Sequence, residues 1–302
     1  MGLLDWLFPG RGYGIAELAR RLDIDKAQLR RLRAQYHEFT IPKRSGGKRR
    51  ILAPEPGLKT LQRRILRRLL ARLRVHEAAM GFERGRSIVT NARAHRGQAV
   101  VLRFDLRDFF PTTSAKRLRR YFRGIGWNRP ATKLLLRLCT HDGGLPQGAP
   151  TSPRLSNLVN YRMDARLAGM AAAIGAVYTR YADDITVSFA EDDRERVHYM
   201  QRFVRRVVES EGYEHHHRKK LSIRRRHHRQ TVTGLVVNER VNLPREVRRR
   251  LRAVEHRTQL GQRSILDDYQ AFSRRKRPTL SRDQLDGWRA LQAMIARQAS
   301  DG

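Results

Sequence analysis

Apolar residues recur every three or four positions in seven segments, a spacing that predicts amphipathic helices. These segments are residues 13–37, 58–75, 114–124, 130–140, 153–170, 194–210 and much of 244–299. The first segment breaks between Asp23 and Asp25, and Asp25 can cap a following turn, so two short helices are predicted there. Residues 58–75 carry an apolar stripe flanked by arginines, which predicts one amphipathic helix.

Shorter apolar runs predict β-strands. Two of them, residues 39–43 and 48–52, flank Gly46-Gly47 and predict a hairpin rich in cations. Residues 177–182 and 185–189 predict a second pair of strands around Asp183 and Asp184. Further strands are predicted at residues 100–106 and 231–238.

The composition is that of a folded protein outside the membrane. The chain has 302 residues, 40% of them hydrophobic, which is enough for one large domain or two closely packed ones. No apolar run reaches the roughly 20 residues that a membrane-spanning helix needs. The single cysteine, Cys139, cannot form an intramolecular disulfide, which is consistent with a cytoplasmic protein.

The charge is strongly positive along the whole chain. There are 64 Lys and Arg residues against 29 acidic ones, a formal net charge of +35. A basic surface distributed along a folded chain favours a long polyanionic partner, and nucleic acid is the usual one. A role in solubility, or a codon bias towards arginine, would give the same composition, and the charge does not indicate a chemical reaction.

Three aspartates carry the candidate chemistry. Asp183 and Asp184 are adjacent between two predicted strands, where two like charges are costly unless a cation lies on them. Two divalent metal ions would supply that cation, and Asp105, near the end of another predicted strand, would supply a third carboxylate. Mg²⁺ is the natural ion because it prefers oxygen ligands. The alternative is a pair of turn aspartates that bind no metal.

Three motifs in chain order resemble those of reverse transcriptases. Tyr181-Ala182-Asp183-Asp184 resembles motif C, residues 104–111 resemble motif A, and residues 145–153 resemble motif B. Their order and spacing are similar to the family's across roughly residues 38–240. The resemblance implies an α+β right-hand fold of fingers, palm and thumb, in which helices back an antiparallel palm sheet. It also implies catalysis by Asp105, Asp183 and Asp184 with two Mg²⁺ ions.

The same resemblance implies roles for further residues by position. Phe110 resembles the aromatic steric gate that excludes a ribose 2′-hydroxyl, and Gln147 and Gly148 resemble residues that line the incoming deoxynucleoside triphosphate. Lys219 resembles a motif D lysine that protonates pyrophosphate, with an uncertainty of one position. The cations expected to bind the triphosphate are Lys48, Arg49 and Arg50.

Two shorter strings resemble those of retron reverse transcriptases, namely Asn91-Ala92-Arg93-Ala94-His95 and Val232-Thr233-Gly234. The resemblance implies that the enzyme binds its own structured non-coding RNA as template and primer. It also implies a branched RNA–DNA product and a role in anti-phage defence with an associated effector protein. The residues expected to contact RNA are Asn91, His95, Val232, Thr233 and Gly234.

The predicted domains are a helical N-terminal extension at residues 1–38, fingers and palm at 39–240, and a basic helical thumb at 241–302. Two other functions remain open from the sequence. One is a group II intron-like or other bacterial reverse transcriptase. The other is a basic RNA-binding protein with an inactive palm.

Overall fold

The structure is a computed structural model that describes residues 12–43, 46–215, 221–259 and 282–300. Within these ranges the chain forms the expected α+β fold. The helices are α1 Ile15–Leu22, α2 Lys26–Arg31, α3 Pro56–Ile65, α4 Ile88–Arg93, α5 Phe109–Thr112, α6 Ala115–Gly124, α7 Arg129–Cys139, α8 Ser152–Val159, α9 Tyr161–Ala173, α10 Arg194–Ser210, α11 Arg245–Gln259 and α12 Arg282–Ser300. The strands are β1 Tyr36–Pro42, β2 Lys48–Pro54, β3 Val100–Asp105, β4 Ala176–Tyr181, β5 Asp184–Phe189, β6 Ser222–Arg225, β7 Thr231–Val232 and β8 Leu235–Val236.

The central sheet is antiparallel, with strand order β4-β5-β3-β6. Alternate residues of β3, namely Val100, Leu102 and Phe104, belong to the apolar cluster that packs the sheet against α9 and α10. The intervening residues, which include Arg103 and Asp105, therefore lie on the opposite face. This alternation separates an apolar face from a polar face that is available for chemistry.

Two further apolar clusters complete the core. The second joins α1, α2, α3, α6, α7 and α8, so the two N-terminal helices share a core with the segments around them. The third packs α4 and the β7–β8 hairpin against α11 and α12. The β1–β2 hairpin pairs Tyr36 with Pro54 and Pro42 with Lys48. It confirms the cation-rich hairpin predicted from the sequence.

Two predicted helices are shorter than expected. The helix predicted for residues 58–75 ends at Ile65 and continues as a π-helical turn, Leu66–Leu70. This wider turn buries Ile65 and Leu70, which are five residues apart, on one side. The helix predicted for residues 153–170 is divided at Asn160, whose side-chain amide donates hydrogen bonds to the Ser156 carbonyl and the Tyr213 hydroxyl.

The strand predicted for residues 231–238 is instead a hairpin of two short strands, β7 and β8. Thr233 and Gly234 form its turn with positive φ angles of 47° and 86°. Residues 36 and 37, expected to be helical, belong to β1. No helix in the described ranges is both long and apolar enough to cross a membrane.

Candidate active site

The β4–β5 hairpin and the end of β3 bring the three aspartates to one edge of the sheet. Ala182 and Asp183 form the hairpin turn, and Ala182 adopts a left-handed conformation with φ of 55°. Asp184 is paired directly with Asp105 in the β3–β5 register. The Leu106 amide donates a hydrogen bond of 3.0 Å to the Asp183 carbonyl, which fixes the turn to the neighbouring strand.

A buried ion pair supports this hairpin from the apolar face. The Arg180 guanidinium donates hydrogen bonds of 2.8 and 2.6 Å to Asp164 of α9, and both side chains are fully buried. Arg180 also donates to the carbonyl of Ala182 at 3.1 Å, and the Tyr178 hydroxyl donates to Asp164 at 2.7 Å. Removing one partner of such a pair typically costs about 3–5 kcal/mol, because the other charge is left unpaired. Neither residue was among the site residues predicted from the sequence.

Arg103 provides a cation beside the aspartates. It donates hydrogen bonds of 2.5 and 3.4 Å to the two carboxylate oxygens of Asp184. This contact was not predicted from the sequence, although Arg103 precedes Asp105 by two positions and so lies on the same face of β3. The arginine shows that the site attracts a positive charge.

The donor set fits Mg²⁺. Asp105, Asp183 and Asp184 offer only carboxylate oxygens, the ligands that this ion prefers. Among the residues that the structure describes, no three His, Cys, Asp or Glu side chains are already arranged as a metal cluster. One reason is that the Asp184 carboxylate is ion-paired with the Arg103 guanidinium and so does not act as a metal ligand in this arrangement.

The predicted steric gate, Phe110, is half-buried on α5, the short helix that begins four residues after Asp105. Its carbonyl accepts a hydrogen bond of 3.1 Å from the amide of Leu145, and its ring centroid lies 6.1 Å from that of Phe82. The adjoining loop packs so closely that a Cβ on Gly144 would overlap the Pro111 carbonyl. The motif B loop therefore fixes the backbone that carries Phe110.

Gln147 and Gly148 connect the motif B loop to the cation-rich hairpin. The Gln147 carbonyl accepts a hydrogen bond of 2.8 Å from the Leu52 amide of β2. Gly148 has φ of 127°, and a Cβ there would lie 2.7 Å from the Leu52 carbonyl oxygen. Only glycine permits this close approach of loop and strand.

The three hairpin cations differ in their surroundings. Arg50 forms ion pairs with Glu38 at 2.7 Å and Asp142 at 3.2 Å, and the hydrogen bonds from Arg50 lower the pKa of Glu38. Lys48 and Arg49 are exposed. Triphosphate binding by Arg50 would therefore require it to exchange carboxylate partners, whereas Arg49 is accessible without that exchange.

Lys219 lies among residues 216–220, outside the described part of the chain. The segment that leads to it is firmly anchored by Tyr213, which is buried. Its hydroxyl is hydrogen-bonded to Thr113 at 2.7 Å and accepts from the Asn160 amide at 2.9 Å.

A comparison with protein families agrees with the arrangement of the three aspartates. The sequence model of the family "Reverse transcriptase (RNA-dependent DNA polymerase)" matches residues 41–232. This chain belongs to the reverse transcriptase family. The matched range contains the three aspartates, Phe110 and the motif B loop.

The relatives identify the retron branch of the family. The chain is 40% identical over 258 residues to the retron Mx162 reverse transcriptase of Myxococcus xanthus, covering 75% of this chain and 53% of that protein. It is 36% identical to the retron Ec86 reverse transcriptase of Escherichia coli, covering 77% of this chain and 73% of the relative. The chain thus spans about half the length of the Myxococcus relative.

A comparison with solved structures supports the fold. The telomerase of Candida albicans, in complex with a TWJ fragment of telomeric RNA, matches with a TM-score of 0.51 at 12% identity. The match covers 85% of this chain and 54% of the telomerase chain. At this identity the match concerns architecture alone.

The first retron string spans the end of α4 and the turn that follows it, and its first and last residues are buried. His95 is fully buried, and its ring nitrogens are hydrogen-bonded to the Ser188 hydroxyl at 2.7 Å and the Thr179 hydroxyl at 2.8 Å. Burial lowers the pKa of His95 to about 3. Asn91 is also buried, and its side-chain amide has no hydrogen-bond partner within the described ranges. Direct RNA contact by either residue would require α4 to move away from the sheet.

The second retron string packs against the first. Val232 is fully buried in the cluster that contains α4, whereas Thr233 is partly exposed and Gly234 is exposed. The Thr233 hydroxyl donates a hydrogen bond of 3.0 Å to the carbonyl of Ile88 at the start of α4. The two strings, distant in sequence, therefore form one structural unit with an exposed turn.

Proposed function

We propose that this protein is an RNA-directed DNA polymerase of the retron type. It copies part of its own structured non-coding RNA into single-stranded DNA and joins that DNA to the RNA through a 2′-hydroxyl. The reaction takes place in the cytoplasm. The system serves anti-phage defence together with an effector protein. The identity to retron enzymes supports this proposal.

The observation that carries the proposal is the arrangement of the aspartates around the β4–β5 hairpin. Asp105 and Asp184 are direct partners across two strands, and Asp183 lies in the turn just before Asp184. A basic RNA-binding protein would have no need to concentrate three carboxylates at one edge of its sheet, since they repel phosphate. Phe110, whose ring neighbour Phe82 also contacts Tyr181 of the catalytic hairpin, supports a deoxynucleotide substrate.

Asp105, Asp183 and Asp184 would hold two Mg²⁺ ions. When bound, these ions favour ionisation of the primer hydroxyl and stabilise the negative charge on the pyrophosphate leaving group. For Asp184 to bind metal, Arg103 must release its carboxylate, and the guanidinium then remains near the site. The ion pair between Arg180 and Asp164 keeps the hairpin in place during the exchange.

The remaining residues bind and select the nucleotide. The ring of Phe110 closes the space that a ribose 2′-hydroxyl would occupy, while Gln147 and Gly148 line the base and sugar. Arg49, Lys48 and Arg50 bind the triphosphate through charge-assisted hydrogen bonds. Lys219 donates a proton to pyrophosphate as it leaves.

RNA recognition is assigned to the turn between β7 and β8. Thr233 and Gly234 contact the RNA directly, whereas Asn91, His95 and Val232 act from within: His95 holds the end of α4 to the central sheet and Val232 packs the hairpin against α4. The exposure of Gly234 and the burial of His95 support this division. The basic helices of the thumb contribute contacts to the phosphate backbone.

Primer extension on an RNA template with Mg²⁺ tests the polymerase activity. The wild type is compared with Asp183→Ala/Asp184→Ala and with Glu191→Ala, an exposed acidic residue outside the site, as a control. Deoxynucleotide incorporation should fall at least about 1000-fold in the double variant, which corresponds to about 4 kcal/mol of transition-state stabilisation, and persist in the control. RNA binding should persist in both variants. Equal activity in all three proteins would contradict the proposal.

The retron type is tested separately with RNA that co-purifies with the protein from its native host. The expected product is DNA that remains attached to RNA after protease treatment and is released by a debranching enzyme. Unattached DNA, primed by a separate oligonucleotide, would instead indicate a reverse transcriptase of another type.

A further inference from the structure

Phe82 is a large apolar residue exposed beside the proposed active site. The residue is 46% exposed, whereas most aromatic residues of the described chain are buried or half-buried. Its ring centroid lies 6.1 Å from that of Phe110 and 6.2 Å from that of Tyr181, the first residue of motif C. Phe82 thus joins the proposed steric gate to the catalytic hairpin. No residue of its loop took part in the sequence motifs.

The backbone of Phe82 is in a conformation that bulky residues avoid. Its φ of 65° lies in the left-handed region, where a β-carbon meets the following carbonyl. Such an outlier persists only where the surrounding structure imposes it, and outliers of this kind cluster at functional sites. Burial does not account for this conformation, since the residue is 46% exposed.

The structure holds the residues on either side of Phe82 in the chain, Gly81 and Glu83, and so imposes this conformation. The Asn157 side chain of α8 donates hydrogen bonds of 2.8 Å to the Gly81 carbonyl and to the Glu83 carboxylate. Glu83 is also ion-paired with Arg154 of the same helix. A Cβ on Gly81 would lie 3.0 Å from the amide nitrogen of Ala182, so the loop rests directly on the catalytic hairpin.

We propose that Phe82 is a contact surface for the template–primer duplex at the primer terminus. This inference rests on the proposed polymerase function. The primer end must approach the aspartates that follow Tyr181, and the incoming sugar must approach Phe110, so a ring that touches both neighbours faces the terminal nucleotide pair. Aromatic rings stack on bases and pack on sugars regardless of sequence, which suits a polymerase that copies any template. The strained backbone holds the ring outwards, ready for this contact.

The test measures binding and stability in the same variants. Phe82→Gly removes the ring and relieves the backbone, Phe82→Leu keeps apolar bulk, and Phe82→Tyr keeps the ring. Tyr199→Leu is the control, because Tyr199 is 45% exposed but stacks on Phe203 of α10. Affinity for a labelled RNA template annealed to a DNA primer is measured by fluorescence anisotropy without divalent metal, so that it does not depend on catalysis. The melting temperature of each free protein and the KM for deoxynucleotide are measured in parallel.

We expect Phe82→Gly to weaken template–primer binding about 5- to 100-fold, with a melting temperature within about 2 °C of wild type or higher. Phe82→Leu should restore little of the affinity and Phe82→Tyr most of it. The KM for deoxynucleotide, measured at saturating template–primer, should change less than about 3-fold in all variants. The control should bind as the wild type does.

Two results would overturn the inference. Wild-type affinity in Phe82→Gly would show that the ring does not contact the duplex. A lowered melting temperature in Phe82→Gly, with binding and stability both restored by leucine, would show that the ring is a packing element. If the wild type itself neither binds nor extends the duplex or its co-purified RNA, the proposed function fails instead, so the two failures are distinguishable.

Discussion

Arg103 beside Asp184 gives the proposed metal site an internal cation. The guanidinium reduces the repulsion among the carboxylates while no metal is bound, but it competes with metal for the same oxygens. An ion pair of this kind stabilises the protein and lowers the affinity for Mg²⁺ at the same time. Its side chains are about one-third and one-fifth exposed, so solvent weakens but does not abolish the effect.

Arg103→Met should therefore increase the affinity for divalent metal. We expect the Kd for Mn²⁺, measured by electron paramagnetic resonance in the absence of nucleic acid, to fall by about 3- to 30-fold, since the competing charge is removed. The melting temperature of the metal-free protein should fall. Arg107→Met, which removes an exposed arginine near Glu214 instead, is the control. An unchanged Kd for Mn²⁺ would mean that the arginine does not compete.

His95 should make folding sensitive to mild acid. Its pKa is about 3 in the folded protein, against about 6.5 in an unfolded chain. Above about pH 6.5 the His95 imidazole is neutral in both the folded and the unfolded state, so its contribution to stability is fully present. Below that pH the unfolded state binds a proton that the folded state refuses, so the free energy of unfolding falls by up to about 1.4 kcal/mol per pH unit until about pH 3.

Urea unfolding between about pH 7 and pH 4.5 measures this effect. His95→Gln can keep hydrogen bonds to Ser188 and Thr179. In this variant the slope of the unfolding free energy against pH should be smaller than in the wild type, by an amount equivalent to up to one proton. His198→Gln, at an exposed position on α10, should behave as the wild type does. Equal slopes in all three proteins would place the acid sensitivity elsewhere.

At the scale of elements, the loop between α7 and α8 determines where Phe110 lies. Gly144 and Gly143 are adjacent but differ in a useful way. A Cβ on Gly144 meets the Pro111 carbonyl, whereas Gly143 has φ of 77° and open space around it. Alanine at the first position thus tests the packing of the loop, and alanine at the second tests backbone strain alone.

Gly144→Ala should destabilise the protein by about 2–4 kcal/mol, because backbone atoms must move to relieve the overlap. Gly143→Ala should cost about 1 kcal/mol, the usual penalty for a left-handed residue. Denaturant unfolding measures both. Because Phe110 is displaced with Pro111, Gly144→Ala should also incorporate more ribonucleotides relative to deoxynucleotides. Unaltered selectivity in a folded Gly144→Ala protein would argue against Phe110 as the steric gate.

The sequence predicted those elements that depend on local pattern. Helix α10 begins and ends at the predicted residues because its apolar positions recur regularly, and the β1–β2 hairpin follows from its glycine turn. The grouping of Asp105 with Asp184 followed from the resemblance in motif order. The break at Asn160 depends on a hydrogen bond to the distant Tyr213, and the pairing of Arg103 with Asp184 depends on strand register. The bond to Tyr213 leaves no local signal in the sequence, whereas the spacing of Arg103 and Asp105 shows that they share a face of β3 but not which residue Arg103 binds.

At the scale of the whole molecule, the charge of +35 should dominate affinity for RNA. Each cation that neutralises a phosphate releases a counterion, so the logarithm of the binding constant should fall linearly with the logarithm of the salt concentration. Binding of a generic RNA, measured by anisotropy, should weaken at least about 100-fold between about 50 mM and about 200 mM salt. The preference for the cognate RNA over a generic RNA of equal length should persist at both concentrations. Affinity independent of salt would contradict a binding surface built on charge.

The third apolar cluster joins α4 to α12, two helices from distant parts of the chain. A ribosome adds about 5–20 residues per second. Residues 282–300, which pack against Val89 and Ala92 of α4, are therefore synthesised on the order of 10 s or more after α4. During that interval the β7–β8 turn lacks part of its support. We therefore expect capture of the cognate RNA to follow translation of α12, so that an interrupted nascent chain would not sequester the RNA.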